Sequence, residues 1–214
     1  MNDLTKLGIK YNTDKVDQYH NFLGDTYTDI YYKYLNHLRD KEFNFLEIGV
    51  RDGQSVKMWS EFFPKANIIG VDINPSCKQY EENNITVHIG SQEDEVFLNS
   101  LIAKYGSFRV VLDDGSHINS MTMKSFKVLQ NLTTEFYIIE DLRNSYEDLT
   151  KDVYLWPGMN LNKDLNADNS KTRPEFDNML LNLIKQMDYR IGNWSGFYFH
   201  AQMLLMQKGK VCKD

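Results

Sequence analysis

Residues Phe43–Ile73 read FNFLEIGVRDGQSVKMWSEFFPKANIIGVDI. An apolar run, Phe43–Val50, is broken by Gly49. Ser55–Phe63 follows, with Val56, Trp59, Phe62 and Phe63 at helical spacing and Pro64 behind them. A second apolar run, Ala66–Ile73, closes the stretch. Two short apolar runs flanking an amphipathic helix are a strand–helix–strand unit, the building block of a parallel sheet.

The pattern continues along the chain. Ile85–Gly90, Ser107–Asp114 and Glu135–Asp141 read as three more strands. Ser76–Glu82 reads as a short helix, and Asp94–Tyr105 and Ile118–Leu132 as longer ones. Most strands are apolar on both faces, so helices must cover the sheet on both sides. Residues 145–175 are polar and rich in Asn and Asp, as expected of an excursion over the active face. The spacing predicts a helix over Pro174–Met187, opened by its proline. Tyr189–Gly209 is expected to form two strands turning at or near Asn193–Gly196, antiparallel to the rest. The expected fold is α/β and Rossmann-like, a mainly parallel seven-stranded sheet with an antiparallel C-terminal hairpin. It forms one domain over residues 1–214, and residues 1–40 supply a Tyr-rich helical segment beside the first strand.

Composition narrows the function. Hydrophobic residues make up 42% and charged residues 25%, the balance of a globular protein. The formal net charge of −6 and the absence of a basic run argue against nucleic acid and anionic membrane surfaces as partners. No apolar stretch reaches signal-peptide or membrane-spanning length. Cys77 and Cys212 form neither a disulfide framework nor a metal-binding pair, which points to a reduced, cytoplasmic setting.

In open α/β sheets, ligands sit at the carboxyl ends of the strands. That rule gathers Glu47, Gly49 and Gly53 (spaced E-x-G-x-x-x-G), Asp72, the turn Gly90–Asp94, Asp113-Asp114 and Glu140-Asp141. The glycine spacing is not the dinucleotide fingerprint G-x-G-x-x-G. It suits a nucleoside without pyrophosphate, and the acidic surroundings suit a cationic one. S-adenosylmethionine meets both conditions, with Asp72 placed to accept from ribose hydroxyls. The two acidic pairs end successive strands and are either helix caps and turn residues or ligands for a hard cation such as Mg²⁺, Mn²⁺ or Ca²⁺. His117, three residues past Asp114, is either structural or a general base beside that cation.

The ordered motifs LEIGVRDGQSVKMWSEFFPKANIIGVDI, VVLDDGSHI and YIIEDL, preceded by KYNTDKVDQYH, resemble one family. It is the metal-dependent sugar O-methyltransferases of macrolide biosynthesis, with cephalosporin-hydroxylase-like relatives. The resemblance covers roughly residues 8–150. It implies a class I methyltransferase fold, S-adenosylmethionine as donor and a divalent ion, usually Mg²⁺. It also implies Asp114, Glu140 and Asp141 as metal ligands and His117 as base. Glu47, Gly49, Gly53, Asp72 and Gln92 are the implied cofactor contacts, with Gln92 near the adenine, and Asp113 is expected to support either the cofactor or the residues around it. Asn12 stands where relatives carry glycine, while Thr13-Asp14-Lys15 is retained, either closing over the cofactor or forming a surface loop. The additional N-terminal domain of the macrolide enzymes has no counterpart here, so acceptor and quaternary structure do not carry over; a homo-oligomer is open. The expected activity is methyl transfer to a sugar hydroxyl of a glycan, polysaccharide or glycosylated metabolite. The alternatives are a catechol-like reaction on an aromatic diol, stacked on Tyr146, Tyr154 or Trp156, and a non-catalytic binding protein that keeps the fold.

Overall fold

The computed structural model describes residues 1–16, 24–148 and 168–209. Seven strands form one sheet: β1 (Asn44–Ile48), β2 (Asn67–Asp72), β3 (Ile85–Ile89), β4 (Phe108–Asp113), β5 (Thr133–Ile139), β6 (Trp194–His200) and β7 (Met203–Lys208). Their order is β3-β2-β1-β4-β5-β7-β6. Pairing is parallel from β3 through β5 and antiparallel for β5–β7 and β6–β7. Strand order reverses between β1 and β4, where a ligand crevice opens at the carboxyl ends.

Six α-helices cover the sheet: α1 (Asp3–Tyr11), α2 (Tyr27–Leu35), α3 (Gln54–Phe62), α4 (Glu95–Tyr105), α5 (Asn119–Leu129) and α6 (Asn169–Asp188). Strand side chains alternate between faces. Phe45 packs with Leu4, Tyr31, Trp59 and Phe62, from α1–α3, while Leu46 packs with Leu98, Phe126 and Leu180, from α4–α6. The same alternation sends Glu47 into the α1–α3 face, where it is fully buried.

Three expectations need correction. The C-terminal hairpin turns at Ala201-Gln202, with Gln202 at φ 63, and not at Asn193–Gly196. Gly196 instead marks an irregularity in β6, where the register shifts between Trp194 and Gly196, so the glycine signals a bulge and not a turn. Helix α6 begins at Asn169, capped by the Asp168 side chain, and Pro174 lies inside it. The excursion expected over 145–175 is therefore helical from Asn169 onward, and its 149–167 portion, including Tyr154 and Trp156, lies outside the described residues. The short helix after β2 is a 3-10 turn, Pro75–Tyr80. Helix α1, unforeseen from the sequence, packs on α2 and α3.

Candidate active site

The β1 exit fixes the site's backbone. Gly49 has φ +97, and a Cβ there would lie 2.0 Å from the Asp114 carbonyl oxygen. Only glycine lets the β1 and β4 ends approach this closely. Gly53, at φ +72, caps α3, and a Cβ there would meet the Tyr80 ring. Asp72 ties these turns together. Its Oδ2 accepts from the Val50 and Arg51 amides, both at 2.9 Å, and its Oδ1 from the Asn74 amide at 2.8 Å. A carboxylate offers about four acceptor positions, so Asp72 keeps capacity for a ligand hydroxyl.

Behind the next turn, Gln92 Nε2 donates to Asp113 Oδ1 at 3.2 Å, and its Oε1 accepts from the Ser116 amide at 2.7 Å. Asp113 also accepts from Ser125 Oγ at 2.6 Å and is buried. Burial raises its pKa, and these donors pull it back. Asp113 therefore anchors the Gly115-Ser116 turn through Gln92 and does not face the cavity. Glu47 is similarly concealed. Its Oε1 accepts from Trp59 Nε1 at 3.4 Å, whereas Oε2 is buried with no hydrogen-bond partner. Burial pushes its pKa up to about 7, against the opposing pull of Lys15.

The carboxylate cluster lies where β4 and β5 end. Glu140 is buried; its Oε1 accepts from Tyr31 Oη and its Oε2 from Lys15 Nζ at 2.7 Å. Lys15 Nζ also reaches Asp114 Oδ2 at 2.6 Å, and the lysine side chain is only 2% exposed. Burial opposes the Lys15 ammonium, but Asp114 and Glu140 outweigh it and hold its pKa above the ordinary value. Burial and the Asp114 charge disfavour the Glu140 carboxylate, and the Lys15 ammonium at 2.7 Å opposes them. Asp141 Oδ1 accepts from Tyr27 Oη at 2.8 Å. His117 Nε2 stands 3.8 Å from Asp114 Oδ1 and 3.6 Å from Asp141 Oδ2.

His117 and Asp141 both occupy the left-handed region, at φ 57 and 54. A buried amide pair holds the His117 turn. Asn169 Nδ2 donates to the His117 carbonyl at 2.7 Å and to the Asn144 carbonyl at 2.9 Å, and its Oδ1 accepts from the Asn119 amide at 2.9 Å. Asn119 Nδ2 returns to the Ser145 and Asn169 carbonyls. The start of α6 is thereby clamped to both acidic turns.

One cavity of about 310 Å³ joins these parts, a volume suited to a small-molecule ligand. Of the residues singled out in the sequence, Gly49, Asp72, Gln92, Asp114, His117 and Asp141 line it, while Glu47, Gly53, Asp113 and Glu140 stand behind its wall. Thr13, Asp14 and Lys15 also line it, so this retained motif belongs to the site and not to a surface loop. Ligand atoms of Asp114, His117 and Asp141 lie within 4.8 Å of one another, an arrangement that fits a divalent cation. Sequence reading missed Lys15 as a cluster member, and Tyr27 and Tyr31 as its donors. The i, i+4 spacing of the two tyrosines puts them on one helix face but carries no sign of what that face meets. Tyr146, read as a ring for substrate stacking, is exposed, carries the Arg173 guanidinium on one face 3.8 Å from its centroid, and is not among the residues lining the cavity.

No family model matches the chain. It is 36% identical over 165 residues to the demethylmacrocin O-methyltransferase of Streptomyces fradiae, covering 73% of this chain and 38% of that one. It is 34% identical over 165 residues to the mycinamicin VI 2''-O-methyltransferase of Micromonospora griseorubida, with the same coverage. The chain thus spans about two fifths of the length of these relatives. Among solved structures, it superposes with a TM-score of 0.76 at 29% identity on a methyltransferase from the mycinamycin biosynthetic pathway in complex with Mg, SAH and mycinamycin VI, covering 99% of this chain and 56% of that one. A putative caffeoyl-CoA O-methyltransferase from Staphylococcus aureus shares the fold alone, at 14% identity and a TM-score of 0.59. The chain therefore has the class I methyltransferase fold, and its sequence is similar to part of the macrolide sugar O-methyltransferases.

Proposed function

We propose that residues 1–214 are the methyltransferase domain of an S-adenosylmethionine- and divalent-metal-dependent sugar O-methyltransferase. The observation that carries this reading is the shared cavity. It brings Asp72, an acceptor for ribose hydroxyls, together with the Asp114–His117–Asp141 cluster. In this reading Gln92 borders the adenine, and Gly49 and Gly53 shape the turn over which the cofactor lies. Glu47 and Asp113 act from behind that wall. Asp114, Glu140 and Asp141 would hold the cation, Mg²⁺ first among candidates, which when bound supplies Lewis acidity to an acceptor hydroxyl.

His117 takes the hydroxyl proton on Nε2 as the oxygen accepts the methyl group from the sulfonium, leaving a methyl ether and S-adenosylhomocysteine. The facing Asp114 and Asp141 carboxylates stabilise the imidazolium that results. Oxygen ligands suit Mg²⁺, which leaves the imidazole available for the proton. The acceptor class is supported by relatives named for O-methylation of demethylmacrocin, mycinamicin VI and a rhamnosyl tetracenomycin C. The aromatic-diol reading lacks comparable support, since Tyr146 is not among the residues lining the cavity.

The test is transfer of labelled methyl from S-adenosylmethionine to a panel of deoxysugar and rhamnoside glycosides. The expected result is transfer that EDTA abolishes and Mg²⁺ restores. Transfer indifferent to chelation rejects the metal, and absence of S-adenosylmethionine binding rejects the methyltransferase reading altogether.

A further inference from the structure

Lys15 is the feature that the reaction just described does not use. A buried lysine requires compensation, and this one finds it in two of the three carboxylates proposed for the metal, at 2.6 Å from Asp114 and 2.7 Å from Glu140. We propose that Lys15 is an internal counter-cation that holds the site formed while no metal is bound, and that a divalent ion loads by displacing its ammonium from Asp114 and Glu140. This rests on the metal reading above and extends it to the order of events at the same carboxylates.

Three observations support the exchange. First, Lys15 and an ion would compete for the same carboxylates: the ammonium sits on Asp114 and Glu140, and the mutually close ligand atoms come from Asp114, His117 and Asp141 without Glu140. Of the two donors to Glu140, Lys15 and Tyr31, only the lysine is a cation that a second cation repels. Second, the two differ in freedom. Tyr31 lies within α2, fully buried and edge-on to Trp59 at 5.1 Å between ring centroids. Lys15 rides on a three-residue 3-10 turn, Asp14–Val16, at the end of a long unbranched side chain. Third, Lys15 is among the residues that line the cavity and Tyr31 is not. Without any cation, Asp114 and Glu140 would face each other uncompensated. The lysine keeps them in register, and a doubly charged ion replaces it because it satisfies both carboxylates more strongly.

The exchange is read by amine accessibility in the wild-type chain. Lysines are acetylated briefly with an N-hydroxysuccinimide ester, and the Lys15 peptide is quantified by mass spectrometry with and without saturating Mn²⁺. Binding of Mn²⁺ in the same samples is followed by electron paramagnetic resonance. Without the ion, Lys15 should react more than an order of magnitude more slowly than Lys127, whose side chain is 75% exposed. With Mn²⁺ bound, that protection should be lost. Mn²⁺ binding that leaves Lys15 protected overturns the exchange while sparing the metal site; failure of Mn²⁺ to bind at all overturns both. In the Lys15→Met variant, Mn²⁺ should bind at least an order of magnitude more tightly, because the competitor is gone. Weaker binding would make Lys15 an organiser of the ligands and contradict displacement. If that variant does not fold, the wild-type labelling decides alone.

Discussion

Replacing Glu47 by glutamine should flatten part of the protein's pH–stability profile. Glu47 is fully buried behind the cofactor wall, its Oε2 has no hydrogen-bond partner, and burial raises its pKa from 4.5 to about 7. In the unfolded chain the carboxyl ionises near its ordinary value. Between these two values the native state retains a proton that the unfolded state releases, so stability falls as pH rises through the window. Below the unfolded value and above the folded one, this group contributes no slope. Each pKa unit corresponds to about 1.4 kcal/mol, so the wild type should lose about 2–3 kcal/mol between pH ~5 and pH ~8 through Glu47 alone. Glutamine keeps the shape and cannot ionise, which removes this slope. The assay is urea unfolding of the metal-free, cofactor-free protein at both pH values, comparing midpoints of wild type and Glu47→Gln. The variant should gain on the wild type as pH rises. Parallel profiles would refute the reasoning and mean that the Glu47 carboxylate is charged and compensated across the whole range.

Four further outcomes follow from the geometry. Gly49→Ala should cost about 3 kcal/mol or more in denaturant melts, because its Cβ meets the Asp114 backbone at 2.0 Å. Gly106→Ala, at φ 76 and ψ −108 with open space around it, should cost about 1–3 kcal/mol from backbone strain without a clash. Asn169→Ala should cost about 3 kcal/mol, since it strips partners from the His117 and Asn144 carbonyls and the Asn119 amide. His117→Ala should reduce turnover by about 10²–10⁴ while leaving Mn²⁺ affinity intact. A parallel loss of Mn²⁺ binding would make His117 a ligand and not the base.

The fold was legible because its signal is local. Apolar runs that end at Gly49, Asp72, Gly90 and Asp114, separated by helical spacing, specify a parallel sheet whatever the tertiary detail. The hairpin turn was misplaced because Gly196 reports a bulge as readily as a turn, while the actual turn residues, Ala201 and Gln202, carry no turn signature. Within the site, the strand-end residues were legible for the same local reason. Lys15, Tyr31 and Asn169 were not, because their roles arise from contacts across 125, 109 and 52 residues of chain. A lysine in a short N-terminal motif and a tyrosine in an aromatic-rich helix look the same whether they pack, face solvent or hold a carboxylate. Exposure separates these cases, and exposure belongs to the fold.

The most direct measurement of the central claim is a crystal structure of the chain grown with S-adenosylhomocysteine and Mn²⁺, using anomalous scattering to locate the metal. The account predicts the ribose hydroxyls on Asp72, the adenine beside Gln92, and a single strong anomalous peak held by Asp114, Glu140 and Asp141 next to His117. A nucleoside elsewhere in the molecule, or an occupied cofactor pocket with no peak at these carboxylates, would contradict it.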